Sequence, residues 1–209
     1  MTTANKITVT RILLIPVFVM MAIYYGRSRE AGHPRDWQRI IAVFVFLIAA
    51  ASDGLDGYVA RRYNQRSRLG VVLDPIADKG LLLAAIITLS FSNWTYVFPL
   101  WFPVLVITRD AVILIGTALL HYLVGEVQVR PSWIGKTATA LQMVAISLVL
   151  VLPGNLAQRT IQVAGQGVDL NLLDIPVTLA GIFTLISGIG YVMRGIRQFQ
   201  AGGHADQGG

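Results

Sequence analysis

The sequence predicts an all-α, polytopic membrane protein with six transmembrane helices. Hydrophobic residues make up 55% of the 209-residue chain and charged residues only 13%, whereas an ordinary soluble domain has about 25% charged residues. Apolar stretches recur along nearly the whole length, and roughly twenty apolar residues span a bilayer as a helix. Six candidate spans leave little of the chain for a soluble domain: Ile12–Tyr25, Ile40–Ala60, Val71–Phe91, Pro99–His121, Ile134–Leu152 and Ile175–Val192.

Composition also limits the classes of function. The chain has no cysteine, which excludes a disulfide framework and a thiolate metal site. Its net charge of +6 suits a protein that works against anionic lipid or phosphate groups. The basic residues flank apolar spans rather than covering a soluble face, so the sequence does not indicate a nucleic-acid partner.

The first span is the shortest. Its fourteen residues, Ile12–Tyr25, also have the length of a signal-peptide core. No small-residue cleavage pattern follows, because the next residues are Gly26 to Arg29. Extension back to Ile7 gives the segment the length of a membrane span. We therefore predict a retained first helix.

The distribution of lysine and arginine between alternate loops predicts the orientation in the membrane. Loops on the cytoplasmic side are enriched in both residues. Ten of them fall on the side that holds both termini and the connection between the second and third spans, against five on the other side. We therefore expect that connection to face the cytoplasm. The loop 26–39 carries four of the other five and is unusually basic for an external loop.

Four aspartates occupy the second and third spans where these meet. Asp53 and Asp56 are three residues apart near the end of the second span, and Asp74 and Asp78 are four apart near the start of the third. Residues at these spacings share a helix face. The connection is just long enough to reverse the chain, so two antiparallel helices present two carboxylate pairs at one membrane surface. Carboxylates near a bilayer are costly and are usually paired, metal-bound or functional.

The carboxylates indicate a divalent metal site. Hard oxygen ligands without histidine or cysteine favour Mg²⁺ or Mn²⁺ over zinc. Two such ions about 4 Å apart match four carboxylates and a bound diphosphate. Gly57 and Ala60 keep the helix surface low enough for a diphosphate to approach, and Arg61 offers a planar fork that matches phosphate. Any one of these aspartates alone could equally well be a helix cap or a member of a surface ion pair instead of a metal ligand.

The arrangement of these residues resembles, position for position, the signature of the CDP-alcohol phosphatidyltransferase family. The matching pattern is Asp53-x2-Asp56-Gly57-x2-Ala60-Arg61-x8-Gly70-x3-Asp74-x3-Asp78. The resemblance extends to the segments Asn5–Arg11 and Gly135–Gln142, so it covers most of the chain. It implies the six-helix membrane fold of that family.

The resemblance also implies a reaction. In this family an acceptor hydroxyl attacks the β-phosphorus of a CDP-linked lipid, and CMP leaves. By resemblance, Asp53, Asp56, Asp74 and Asp78 hold two divalent ions, Mg²⁺ or Mn²⁺, and Asp78 is also the general base. A homodimer in the inner membrane, with its site facing the cytoplasm, is expected on the same ground. The residues that the resemblance assigns to CDP-diacylglycerol are Asn5, Thr8, Gly57, Ala60, Arg61 and Ser67.

The acceptor is less clearly specified. Taken whole, the chain resembles the family members that use glycerol 3-phosphate, for which Arg109 in the fourth span and Lys136 at the start of the fifth would supply positive charge. Those members typically have Arg-Glu where this chain has Arg109-Asp110, and a second arginine where it has Thr117. In these two respects the chain is closer to members that use phosphatidylglycerol and form cardiolipin. That acceptor is the alternative.

Purely structural roles are also open for Lys136 and Arg109. Lys136 has the position of an interfacial anchor, and Arg109 can form an ion pair with Asp110 or with a helix neighbour. An ion-pathway transporter is a more distant alternative for the aspartates, but the chain shows no inverted halves or paired broken helices. We expect one catalytic domain over residues 1–200 and a flexible tail over 201–209.

Overall fold

The computed structural model of the chain describes residues 3–63, 68–124, 132–152, 158–163 and 166–205. It describes the side chains at 8–52, 77–119, 122, 132–152 and 171–197.

The described residues form six long helices, which confirms the all-α class. Each of the six predicted spans overlaps one helix. The helices are α1 (Thr3–Glu30), α2 (Asp36–Tyr63), α3 (Arg68–Phe91), α4 (Trp101–Val124), α5 (Trp133–Val151) and α6 (Asp174–Ala205).

Four of these helices are long and apolar enough to cross a membrane over their described residues. In α2 and α3 the described side chains cover segments shorter than a bilayer span, so this count of apolar helices does not include those two. The chain is a multi-pass membrane protein. The four segments are Thr8–Glu30, Trp101–Leu119, Trp133–Val151 and Asp174–Arg197.

A short antiparallel hairpin lies between α5 and α6, and the sequence analysis made no prediction of it. Strand β1 (Gln158–Val163) pairs with β2 (Gln166–Asn171). The register places Gln158 opposite Asn171 and Val163 opposite Gln166. Two strands alone are marginally stable in water, so the hairpin adds little to the helical class.

Contacts divide the chain into two compact units. Unit 1 comprises residues 1–99 and 146–173, and unit 2 comprises residues 100–145 and 174–209. The prediction of a single catalytic domain over 1–200 stays a prediction. The last helix, α6, runs to Ala205 and so includes the start of the segment expected to be a tail.

In unit 1, α1 packs against both α2 and α3. The rings of Phe18 and Phe46, both fully buried, lie 5.6 Å apart between centroids and join α1 to α2. Around them the helices bury small residues such as Ala22, Ala42 and Ala49. Small side chains let helix backbones approach closely, which favours association in a bilayer, where no hydrophobic force drives helices together.

The end of unit 1 opposite the aspartate pairs contains two arginines bonded to backbone carbonyls. Arg29 donates to the carbonyls of Asn93 and Trp94, and Arg39 Nη2 donates to the carbonyl of Val151 at 3.0 Å. The Trp94 indole in turn donates to the Val149 carbonyl at 3.2 Å. The predicted loop 26–39 is thus mostly helical, since α1 ends at Glu30 and α2 begins at Asp36, and two of its arginines have a structural function.

In unit 2, α4 packs against α6. A Cβ at Gly181 would lie 2.5 Å from the Trp101 ring, so only glycine allows α6 to approach α4 there. One face of α6 carries three hydroxyl groups at intervals of three and four residues. Thr184 bonds to Gln142, Ser187 to Arg109 and Tyr191 to Thr117. The face therefore joins α6 to α4 and α5 through polar contacts.

Candidate functional site

Both aspartate pairs lie on continuous helices of unit 1. Asp53 and Asp56 belong to α2, and Asp74 and Asp78 belong to α3. The two helices are consecutive and contact each other. The backbone thus has the helical spacing that the sequence analysis expects for each pair.

Of the four signature aspartates, Asp78 is the one whose side chain lies among the described residues. It is half-buried and follows Ala77, which is fully buried. Two residues further along α3, a Cβ at Gly80 would lie 3.4 Å from Ile15 of α1. Asp78 is therefore half-buried on a helix that packs against α1.

Most of the other predicted site residues lie outside the described side chains. Their predicted roles stay predictions. The backbone is described and helical at Asn5, Asp53, Asp56, Gly57, Ala60, Arg61 and Asp74, and Ser67 lies outside the described residues altogether.

Thr8, expected near the nucleotide, is fully buried on α1. One turn further along the same helix, Arg11 is only 1% exposed. A buried guanidinium is strongly disfavoured unless polar groups surround it. The sequence analysis counted Arg11 merely as a cytoplasmic-side cation. Arg11 lies three residues after Thr8, on the same helix face and within the segment Asn5–Arg11. This spacing could have identified Arg11 as a candidate site residue.

Arg109 is held in unit 2 by two side chains. Its side chain is 9% exposed, and Nη1 lies 2.6 Å from Oδ1 of Asp110. Nη2 donates to Ser187 Oγ at 2.9 Å. The expected ion pair with Asp110 is therefore present. It largely neutralises the guanidinium, and it leaves Nη2 directed at the serine.

The first turn of α5 brings polar atoms together around Gly135. Ser132 caps the helix, because the Gly135 N–H donates to its Oγ at 3.1 Å. A Cβ at position 135 would lie 3.1 Å from Arg109 Nη2, 3.1 Å from Ser132 Oγ and 3.3 Å from Ser187 Oγ. A side chain at position 135 would therefore press on three polar groups, which come from α4, from the cap of α5 and from α6.

Lys136 is exposed, and its Nζ lies 5.7 Å from the centroid of the Trp133 ring. Trp133 is itself 84% exposed. Aromatic and basic side chains together are typical of a membrane interface, and a cation over an indole face is weakly stabilised. The anchor interpretation of Lys136 therefore remains open beside the predicted contact with the acceptor.

A pocket of 220 Å³ lies between the start of α5 and the second half of α6, and we call it the α5–α6 pocket. Arg194 and Arg197 contribute two cations to its wall, and the hydroxyl-bearing Ser132 and Ser187 line it as well. The sequence analysis counted both arginines as ordinary cytoplasmic-side residues. Their i, i+3 spacing on the last helix gave no sign of a pocket, which depends on the packing against α5.

At position 117, where the resemblance to members that use glycerol 3-phosphate predicts a second arginine, the threonine is hydrogen-bonded twice. Its hydroxyl donates to the carbonyl of Ile113 at 2.6 Å. Because that bond uses its proton, Thr117 accepts a hydrogen bond from the hydroxyl of Tyr191. A Cβ at Gly116 would lie 3.5 Å from the tyrosine ring, in ordinary van der Waals contact.

Comparison with known proteins places the chain in a family. A family model described as CDP-alcohol phosphatidyltransferase matches residues 1–188. The chain belongs to the CDP-alcohol phosphatidyltransferase family. The resemblance recognised in the aspartate signature is thereby confirmed, and it extends well beyond the signature itself.

Two curated members of the CDP-alcohol phosphatidyltransferase family illustrate the similarity. A probable phosphatidylglycerophosphate synthase of Mycobacterium tuberculosis (strain ATCC 25618 / H37Rv) is 35% identical over 196 residues, covering 93% of this chain and 81% of the relative. The CDP-diacylglycerol–glycerol-3-phosphate 3-phosphatidyltransferase of Escherichia coli (strain K12) is 35% identical over 149 residues, covering 70% of this chain and 75% of the relative.

Proposed function

We propose that this phosphatidyltransferase acts in phospholipid biosynthesis and transfers the phosphatidyl group of CDP-diacylglycerol to glycerol 3-phosphate. The products are phosphatidylglycerophosphate and CMP. The observation that carries the proposal is the intact signature from Asp53 to Asp78, in a chain 35% identical to relatives named for this reaction.

The transfer requires one bond to form and one to break at phosphorus. The acceptor hydroxyl oxygen bonds to the β-phosphorus, the bond from that phosphorus to the CMP oxygen breaks, and the hydroxyl proton leaves. We assign the proton to Asp78. Its half-buried position on α3 supports this role, because a general base acts best when it is held within hydrogen-bond reach of the proton it removes.

The donor set suits two divalent cations. Four carboxylates divided between the contacting helices α2 and α3 provide hard oxygen ligands of the kind that Mg²⁺ and Mn²⁺ prefer. Asp53, Asp56, Asp74 and Asp78 would hold the ions. When bound, the ions would offset the negative charge of the diphosphate.

The acceptor subsite is assigned to unit 2. A phosphate monoester carries a charge of about −1.5 to −2 at neutral pH, so its binding site needs several cations. Arg109 and Lys136 were predicted for this role, and the α5–α6 pocket adds Arg194 and Arg197. Because Asp110 already neutralises much of the charge on Arg109, the two α6 arginines are important to the assignment.

One observation favours a second candidate function. Thr117 and Tyr191 are hydrogen-bonded to each other where a second cation is typical of members that use glycerol 3-phosphate. A phosphate diester such as phosphatidylglycerol carries less charge and needs fewer cations. Cardiolipin synthesis from CDP-diacylglycerol and phosphatidylglycerol is therefore the alternative. The names of the relatives favour glycerol 3-phosphate.

The location and assembly complete the proposal. Residues of the aspartate motif would face the cytoplasm from the inner membrane, in keeping with the excess of lysine and arginine on that side. The active form would be a homodimer. Chemical labelling of single cysteines introduced at Arg35 and Arg66, in sealed inside-out and right-side-out vesicles, tests the orientation, since each site should react in only one vesicle type.

The reaction is tested with the purified chain in lipid-containing micelles. CDP-diacylglycerol is supplied with Mg²⁺ or Mn²⁺ and with glycerol 3-phosphate or phosphatidylglycerol, and lipid products are identified by mass. Phosphatidylglycerophosphate supports the proposal, and cardiolipin supports the alternative. No CMP release with either acceptor and either metal would contradict both and favour a function without catalysis. Loss of CMP release on chelation would establish the metal requirement.

A further inference from the structure

Two serine hydroxyls in the α5–α6 pocket have a proton that their described hydrogen bonds do not use. Ser132 Oγ accepts from the Gly135 N–H, and Ser187 Oγ accepts from Arg109 Nη2. A hydroxyl has one proton to donate in addition to its two acceptor positions. Both side chains line the pocket, and we call them the serine pair.

The serine pair is held in place by its surroundings. Ser187 is 3% exposed, and its partner Arg109 is fixed in turn by Asp110. Ser132 is fixed as the cap of α5. Both oxygens lie within 3.3 Å of the position that a Cβ on Gly135 would take. The two hydroxyls therefore converge on one small region instead of acting at separate places on the surface.

The chemistry of the pocket selects an anion with several oxygens. The serine pair offers two neutral O–H donors, and Arg194 and Arg197 add positive charge on the same pocket. A terminal phosphate has three equivalent oxygens that accept hydrogen bonds. A diester phosphate has only two unesterified oxygens, and its second ester group needs space, so it fits a small pocket of 220 Å³ less well.

We propose that the serine pair recognises the phosphate monoester of the acceptor, and that Ser187 is its specificity-determining member. Ser187 accepts a hydrogen bond from Arg109 and donates its own proton to a phosphate oxygen. Through this bond Arg109 strengthens the donor, since hydrogen-bond chains polarise one another. The inference rests on the proposed transfer to glycerol 3-phosphate and names the residues that distinguish this acceptor from a phosphate diester.

A purely structural role for Ser187 makes different predictions. Thr184, one turn earlier on the same face of α6, bonds to Gln142 at 2.7 Å, and both side chains are buried. Its position outside the α5–α6 pocket lining makes it a matched control. If Ser187 merely joined helices, the loss of either hydroxyl would affect stability and both substrates alike.

The test compares Ser187→Ala with Thr184→Val in the full-length chain. In Ser187→Ala, the KM for glycerol 3-phosphate should rise about tenfold, as expected for loss of a hydrogen bond to a charged group, while the KM for CDP-diacylglycerol stays within twofold. The inhibition constant of inorganic phosphate against glycerol 3-phosphate should rise by a similar factor. Ser187→Thr keeps the hydroxyl and should restore both values. Thr184→Val should lower the melting temperature without changing the ratio of the two KM values.

A second variant does not depend on how Ser187→Ala folds. Ser132→Asp retains a favourable helix cap and places a negative charge in the pocket. It should raise the KM for glycerol 3-phosphate more than tenfold, because the added carboxylate repels phosphate, with little change for CDP-diacylglycerol.

The outcomes separate this inference from the proposed function. A wild-type protein that makes no product from glycerol 3-phosphate would overturn the proposed function, and this inference with it. If the wild-type protein turns over, the inference alone is overturned by an unchanged acceptor KM in both Ser187→Ala and Ser132→Asp. It is equally overturned if the KM values of both substrates rise together, or if Thr184→Val reproduces the effect of Ser187→Ala.

Discussion

Arg29 and Arg39 of unit 1 and Arg109 of unit 2 are stabilised by different kinds of partner. In unit 1, Arg29 and Arg39 donate to backbone carbonyls near the ends of α3 and α5. In unit 2, Arg109 contacts the carboxylate of Asp110 and the hydroxyl of Ser187. Carbonyl partners serve only to satisfy helix ends, whereas the second arrangement connects a cation to a pocket. The partners of Arg109 thus distinguish it from the two carbonyl-bonded arginines of unit 1, although Arg194 on the α5–α6 pocket also donates to a carbonyl, that of Gly190 at 3.0 Å.

The largest effect is expected at Asp78, the residue of unit 1 that we assign as the general base. Asp78→Asn removes the proposed base and one metal ligand, and should reduce transfer by at least about a thousandfold, within the range for loss of general-base catalysis. Binding of CDP-diacylglycerol, measured by equilibrium dialysis of a labelled nucleotide lipid, should be largely retained. Near-normal turnover would remove Asp78 as the base.

The next largest effect concerns Arg109 and its carboxylate partner. Arg109→Gln should lower kcat/KM for glycerol 3-phosphate about thirtyfold, roughly 2 kcal/mol. It should also destabilise the protein by about 3 kcal/mol, because it breaks a buried ion pair. The double variant Arg109→Gln/Asp110→Asn should recover most of the melting temperature but not the kinetics. Kinetic recovery in the double variant would show that Arg109 acts only as a partner for Asp110.

A smaller change is expected at Thr117, which bonds to Tyr191 at the position where the sequence resemblance predicts an arginine. Thr117→Arg adds a cation to unit 2 and should shift the ratio of glycerol 3-phosphate use to phosphatidylglycerol use about fivefold toward the phosphomonoester, on the scale of one charge-assisted contact. Thr117→Val removes the hydroxyl without adding charge and should leave the ratio unchanged. An unchanged ratio in Thr117→Arg would show that position 117 does not determine the acceptor.

The smallest effect is expected for the carbonyl-bonded arginine of unit 1. Arg39→Ala loses the hydrogen bond to the Val151 carbonyl and should reduce the free energy of unfolding by about 1 kcal/mol, with both KM values unchanged. Arg35→Ala, at an exposed position in the same basic segment, is the matched control and should change neither property. A raised KM for either substrate in Arg39→Ala would contradict a purely structural role for Arg39.

The parts of the molecule that sequence analysis predicts are those encoded by local patterns. The six helices follow from long apolar runs, and the aspartate motif falls within 26 consecutive positions on two adjacent helices. Local spacing is enough to place residues on a helix face. The same reasoning identified Arg109 and its possible pairing with Asp110, because the two are neighbours in the chain.

The groups that the sequence did not reveal are brought together by packing between distant segments. Ser132 and Ser187 are 55 positions apart, and both lie close to Gly135, where a Cβ would press on their hydroxyls. The bond from Arg39 to Val151 joins residues separated by 112 positions. Segment 26–39 is unusually rich in arginine for the external side of the membrane. The hydrogen bonds of Arg29 and Arg39 to backbone carbonyls give two of these arginines a structural reason.

The central claim is tested most directly by following an oxygen atom through the reaction. Glycerol 3-phosphate labelled with ¹⁸O in its terminal hydroxyl is supplied with CDP-diacylglycerol, and both products are analysed by mass spectrometry. Attack of that hydroxyl on the β-phosphorus predicts that phosphatidylglycerophosphate carries the label and CMP carries none. Formation of cardiolipin from added phosphatidylglycerol, with no labelled lipid from glycerol 3-phosphate, would contradict the proposed acceptor.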